Sequence, residues 1–216
     1  MIKAVIFDFD GTLVDTESIW YQVYKEILFE EYSLELPLEQ FSKCIGTTDE
    51  VLYAYIQEGT GKKVDRNKLE EAVKQRFFGQ KEMLEVREGV LEKIKEAEEQ
   101  GLKIALASSS SREWVDGFLE QFKLKSYFSV IKTREDVEKV KPDPALYLKA
   151  LQDLEVEPFE ALAIEDSANG ALAAISAGMY CAVIPNQVTA QLEFHEKAVR
   201  SEHFKDLSFK FEDYNS

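Results

Sequence analysis

Ile2-Lys3-Ala4-Val5-Ile6-Phe7-Asp8-Phe9-Asp10-Gly11-Thr12 opens the chain with a short apolar run that stops at two aspartates and a glycine. Apart from Lys3, the residues from Ile2 to Phe7 are apolar and partly β-branched. That pattern suits a strand buried on both faces of a parallel sheet. The period then changes. Ile19, Trp20, Val23, Tyr24, Ile27 and Leu28 line one face of a helix. Pro37 suits a first helical position ahead of Leu38 and Phe41. Thr47-Thr48-Asp49-Glu50 has capping-box spacing, and Val51, Leu52, Tyr55 and Ile56 continue as a helix face that ends at Gly59. Leu69, Val73 and Phe77 mark a fourth helix, starting near Asp65. No strand pattern interrupts these four.

From Val90 the pattern alternates. Val90, Leu91, Ile94 and Ala97 form a helix face closed by Gly101, and Lys103 to Ala107 reads as a strand ending in four serines. Val115, Phe118, Leu119 and Phe122 give the next helix, Phe128 to Ile131 a strand, and Pro144 opens another helix. Ala161 to Ile164 is a strand, Ala168 to Ala177 an Ala-rich helix capped by Gly178, and Cys181 to Ile184 a last strand. Alternating strand and helix predict an α/β fold with a parallel sheet covered on both faces. Residues 1–15 and 83–216 form that core, and 16–82 form an all-helical insert placed after its first strand.

The chain has 216 residues, 45% hydrophobic and 31% charged, enough to bury a core. Lys+Arg number 26 against 41 Asp+Glu, a formal charge of −15. That field argues against a nucleic-acid or anionic-membrane partner. It leaves anionic substrates open where a cation and backbone N–H groups reverse the sign locally. Cys44 and Cys181 have no metal-ligand or CxxC spacing. With no signal peptide and no run long enough to span a bilayer, the expectation is a soluble cytoplasmic protein with reduced thiols. His195 and His203, the only histidines, lie in the charged C-terminal segment outside any motif.

Ligands of open parallel sheets sit at the carboxyl ends of the strands. There this sequence gathers Asp8 and Asp10, then Ser108 and Ser109, then Lys141 before Pro142, then Glu165 and Asp166. Any one of these could be an ordinary loop or N-cap residue. Four carboxylates, a lysine and serines converging at four strand ends point instead to a functional site.

In these residues the chain resembles the haloacid dehalogenase superfamily. Asp8-Phe9-Asp10-Gly11-Thr12 matches its first motif, Ser108 its second, Lys141 in Lys-Pro-Asp-Pro its third and Glu165-Asp166-Ser167 its fourth. The resemblance implies a Rossmann-like core with residues 16–82 as a helical cap. The nearest likeness is to the branch of β-phosphoglucomutase and its phosphatase relatives. It implies that Asp8 attacks phosphorus to give an aspartyl-phosphate and that Asp10 acts as general acid and base. It also implies Mg²⁺ held by Asp8, the Asp10 main-chain carbonyl and Asp166, with Glu165 in or near the shell. Ser108, the N–H groups of Gly11 and Ser109, and Lys141 would hold the phosphoryl oxygens, and Thr12 would buttress the loop.

The expected activity is therefore a Mg²⁺-dependent phosphatase acting on a small phosphorylated metabolite, by a monomeric protein. A hexose-phosphate mutase and a non-catalytic phospho-accepting module are the alternatives. Against the mutase, the position of its cap-helix histidine is Trp20 here, and Gly46-Thr47-Thr48-Asp49 lacks the mutase's arginine. Against a receiver-like module stands the helical insert. Trp20, Gly46, Thr47 and Arg76 are candidates for cap specificity, although packing suits Trp20 and solvation suits Arg76. Ser110 and Ser111 read as helix-capping residues, and Cys44 as a packing residue.

Overall fold

The computed structural model describes residues 1–45, 50–61, 63–80 and 84–214. Strand β1 (Ala4–Phe7) is followed by helices α1 (Thr16–Tyr32), α2 (Leu38–Ser42), α3 (Glu50–Thr60) and α4 (Arg66–Gln80). Helix α5 (Val90–Glu99), β2 (Lys103–Ala107), α6 (Arg112–Gln121) and β3 (Val130–Lys132) come next. Then follow α7 (Ala145–Leu154), β4 (Ala161–Glu165), α8 (Ala168–Ser176), β5 (Tyr180–Val183) and β6 (Ala198–Arg200).

The six strands form one parallel sheet in the order β3-β2-β1-β4-β5-β6. From β1 the chain builds outward in one direction to β3, then returns to build β4 to β6 on the other side. Such a reversal opens a crevice at the carboxyl ends of the two central strands, β1 and β4. This is the Rossmann-like α/β arrangement expected from the alternation. One strand is additional: β6 pairs with β5 beyond the run at Cys181–Ile184 that reads as the last strand. It has only three residues, none of them buried, so it carries no apolar pattern to read.

The period-two alternation divides the core by side-chain size. Val5, Phe7, Ile104, Leu106, Leu162 and Ile164 face one way, packing with Val90, Ile94 and Ala97 of α5 and with Val115, Phe118 and Leu119 of α6. Ala4, Ala105, Ala107, Ala161 and Ala163, with Ile6 and Val183 as the larger exceptions, face the other, against Tyr147 and Leu151 of α7 and the alanines of α8. The small residues on this face of the sheet, matched by alanines on α8, let α7 and α8 lie close to it. That closeness brings side chains of these helices within reach of the strand ends.

Between β1 and α5, Val23, Ile27 and Leu28 of α1 are buried with Leu52 and Ile56 of α3 and Leu69, Val73 and Phe77 of α4. The two passages between these helices and the sheet run side by side. Val14 pairs antiparallel with Val86, and the Arg87 N–H donates to the Leu13 carbonyl at 2.9 Å. The predicted capping box at residues 47–50 falls mainly outside the described residues, as do Gly46 and Thr47. Among the described residues no helix is long and apolar enough to cross a membrane.

Candidate active site

Asp8 follows β1 directly, Ser108 follows β2, and Glu165 and Asp166 stand at the end of β4. Lys141 reaches in from the loop between β3 and α7. All five are buried, although each is polar or charged. Such burial demands partners. Lys141 Nζ donates to Asp8 Oδ1 at 2.5 Å, to Glu165 Oε1 at 2.7 Å and to the Ala107 carbonyl at 2.8 Å. Its three protons are thus assigned. Tyr147 on α7 donates its hydroxyl to the same Glu165 oxygen at 2.6 Å. Glu165 therefore holds Lys141 in place, and its carboxylate lies against Gly170 of α8, where a Cβ would come within 2.1 Å of it.

Asp166 is held from the other side. Asn186, beyond β5, donates Nδ2 to Asp166 Oδ2 at 2.8 Å. Thr12 Oγ1 and Thr189 Oγ1 approach the same carboxylate at 3.4 Å. Gly11 has φ +80°, and a Cβ there would sit 2.2 Å from Asp166 Oδ2, so only glycine permits this turn beside the carboxylate. Arg87 fastens the loop by donating to the carbonyls of Gly11 at 2.5 Å, Ile184 at 2.8 Å and Pro185 at 2.9 Å.

Oxygens of Asp8, Glu165 and Asp166 lie within 4.8 Å of one another. Burial and the neighbouring Glu165 push the Asp8 carboxyl up to about 7, against the pull of Lys141. Burial, then Asp8 and Glu165, raise Asp166 well above the usual carboxylate range. Burial works against the charge on Lys141, but Asp8 and Glu165 outweigh it and hold the ammonium above its ordinary value. Three crowded carboxylates against one lysine form a site with surplus negative charge and hard oxygen donors. A divalent cation that prefers oxygen fits this donor set.

Asp10 lies beside this cluster, not in it. Its Oδ1 accepts from Thr16 Oγ1 at 2.9 Å and from Trp114 Nε1 at 2.8 Å, and its Oδ2 from Ser110 Oγ at 2.5 Å. Burial raises its carboxyl, with the bonds from Ser110, Trp114 and Thr16 opposing the shift. Among the described residues no donor reaches the main-chain carbonyl of Asp10. Glu17, half-buried on α1, is pushed up to about 8 by burial and by the charges of Asp10 and Asp8.

Several expected donors differ in availability. The Ser109 N–H has no partner among the described residues. The Gly11 N–H, in contrast, donates to the Val14 carbonyl at 2.7 Å and is directed back into its own loop. The N–H groups of Phe9 and Asp10 have no partner among the described residues, and motif spacing did not single them out. Ser108 Oγ accepts from the Ser110 N–H at 3.0 Å. Ser111 caps α6, accepting from the Trp114 N–H at 3.3 Å, whereas Ser110 turns to Asp10 and caps nothing. Arg76 pairs with Glu30 at 2.8 Å and Glu26 at 3.7 Å, which leaves it tied to α1. Trp20 stacks on Phe77 with ring centroids 3.9 Å apart. Cys44 donates to the Phe41 carbonyl, and both cysteines are free thiols.

A family model described as haloacid dehalogenase-like hydrolase matches residues 5–184. YhcW of Bacillus subtilis (strain 168), a proposed phosphatase, is 46% identical over 208 residues, covering 96% of this chain and 94% of its own. Pyrophosphatase PpaX of Bacillus cereus (strain B4264) is 32% identical over 187 residues, with 85% and 83% coverage. Among solved structures, CbbY from Rhodobacter sphaeroides in complex with phosphate superposes with a TM-score of 0.76 at 29% identity, covering 95% of this chain and 96% of that one. The chain belongs to the haloacid dehalogenase-like hydrolase family.

Proposed function

We propose that this phosphatase hydrolyses a small phosphorylated metabolite, a sugar phosphate or a similar monoester, through a phosphoryl intermediate on Asp8. The observation that carries this reading is the Asp8–Lys141–Glu165 chain. A buried ammonium fixes one oxygen of Asp8, while no described group donates to the other, Oδ2, which is available to attack phosphorus. Lys141, on giving up one of its three present acceptors, would join the Ser108 hydroxyl and the Ser109 N–H in holding the phosphoryl oxygens in line with that attack. Asp10 would protonate the leaving alcohol and then take a proton from the water that attacks the intermediate.

Mg²⁺ would be held by Asp8, the Asp10 carbonyl and Asp166. Glu165, already bound to Lys141 and Tyr147, would stand beside the shell. When bound, the ion neutralises charge on the phosphoryl oxygens and on the carboxylates around them. Residues 16–82 would act as a cap, moving about the paired passages at Val14 and Val86 and excluding water when closed.

Hydrolysis is preferred over hexose-phosphate isomerisation because Trp20 stacks in an aromatic cluster and its indole neither takes up nor releases a proton near neutral pH. Ion pairing of Arg76 with α1 removes one cation that a second phosphate would need. We expect phosphate release from sugar phosphates and from p-nitrophenyl phosphate. No glucose 6-phosphate should form from β-glucose 1-phosphate, even when primed with the 1,6-bisphosphate. A coupled glucose-6-phosphate dehydrogenase assay checks this, and sustained NADPH production would decide for the mutase.

A further inference from the structure

We propose that Trp114 is a positioning residue for Asp10, pinning one carboxylate oxygen so that the other faces the leaving group. This inference rests on the phosphatase reading above. Three side chains from three elements donate to Asp10: Thr16 at the start of α1, Ser110 after β2 and Trp114 in the first turn of α6. They are not equivalent. Hydroxyl donors rotate and can turn to other acceptors, whereas an indole N–H donates only, along a direction set by its ring plane.

That ring is clamped. Trp114 meets Phe118 edge-to-face at 4.9 Å within α6, and it contacts Phe77 at 5.4 Å, Trp20 at 6.1 Å and Phe78 at 6.1 Å from α4 and α1. Aromatic packing from the sheet side and from the inserted helices thus fixes where Nε1 points. Asp10 Oδ1 receives this fixed bond together with Thr16, while among the described residues Oδ2 receives only the Ser110 hydroxyl. When the Ser110 hydroxyl turns away, Oδ2 is freed and Oδ1 stays anchored. Asp10 then delivers the proton on Oδ2 to the leaving oxygen as the P–O bond breaks. The same indole touches both bodies of the fold, so the position of α1 and α4 against α6 bears directly on the orientation of Asp10.

The test is Trp114→Phe, which keeps an aromatic ring in the cluster and removes the N–H. Turnover is compared on p-nitrophenyl phosphate, whose phenolate departs without protonation, and on glucose 6-phosphate, fructose 1-phosphate and glycerol 3-phosphate, whose alkoxides need it. We expect kcat on the alkyl esters to fall ~10-fold or more with KM within about twofold, and kcat on the aryl ester to fall less than about threefold. β-(3-Benzothienyl)alanine at position 114 replaces N–H by sulfur in an otherwise similar ring. It should reproduce the same split if the Phe variant loses thermal stability. Equal losses on both ester classes, a loss in KM alone, or no loss would overturn the inference. Asp8→Asn, assayed in parallel, separates the two levels. If that variant is inactive while Trp114→Phe shows no split, the role of Trp114 alone fails; if it stays active, the reading of Asp8 as the group that receives the phosphoryl fails with it.

Discussion

Replacing Asp8 by asparagine should lower kcat by on the order of 10⁴-fold or more, without unfolding the protein. The amide retains the shape of the carboxylate but has no anionic oxygen to form a bond to phosphorus. It also lacks the charge that Lys141 Nζ meets at 2.5 Å. Part of that ion pair's energy is lost, but Lys141 keeps Glu165 and the Ala107 carbonyl as acceptors, so the lysine is not stranded. Circular dichroism should match the wild type. Turnover within tenfold of wild type would show that a different group receives the phosphoryl. Asp10→Asn should cost less, roughly 10²–10⁴-fold, the range for loss of a positioned acid or base.

Removal of divalent metal should have an effect of similar size. In excess EDTA turnover should vanish, and Mg²⁺ should restore it. Ca²⁺ should inhibit, because its larger and looser shell suits the in-line arrangement poorly. Asp166→Ala should raise the Mg²⁺ concentration needed for half-maximal activity or abolish activity. The physical basis is the crowding of Asp8, Glu165 and Asp166 within 4.8 Å, which one lysine does not neutralise. The same crowding makes a stability test informative: added Mg²⁺ should raise the unfolding temperature of the wild type and do so less for Asp166→Ala. Undiminished phosphate release in EDTA, with no thermal shift on adding Mg²⁺, would remove the metal from the account.

The architecture could be read in the chain because its strands are short, apolar and separated by strongly periodic helices. Ala4–Phe7, Lys103–Ala107 and Ala161–Glu165 announce themselves by composition, and the acidic residues at their ends follow from position alone. β6 could not be read, since a three-residue edge pairing leaves no pattern. The residues that support the site were hidden for a different reason. Tyr147 sits on an apolar helix face with Leu146, Ala150 and Leu151 and looks like simple core, although a buried tyrosine must place its hydroxyl somewhere. Arg87 lies in a connecting segment, and its three carbonyl partners come from positions 11, 184 and 185. Ser110 was obscured by its neighbour, because either serine could cap α6 and only the geometry shows that Ser111 does. Asn186 and Gly170 matter through contacts across the sheet ends, which no local spacing encodes.

Transient phosphorylation of Asp8 is the claim on which the rest depends. The most direct measurement is acid quench of the protein during turnover of p-nitrophenyl phosphate with Mg²⁺, followed by peptide mass spectrometry of the segment that contains Asp8. The account predicts a phosphoryl adduct on Asp8 that accumulates early, is sensitive to hydroxylamine and is missing in Asp8→Asn. Steady turnover with no adduct at any quench time, or an adduct on another residue, would contradict it.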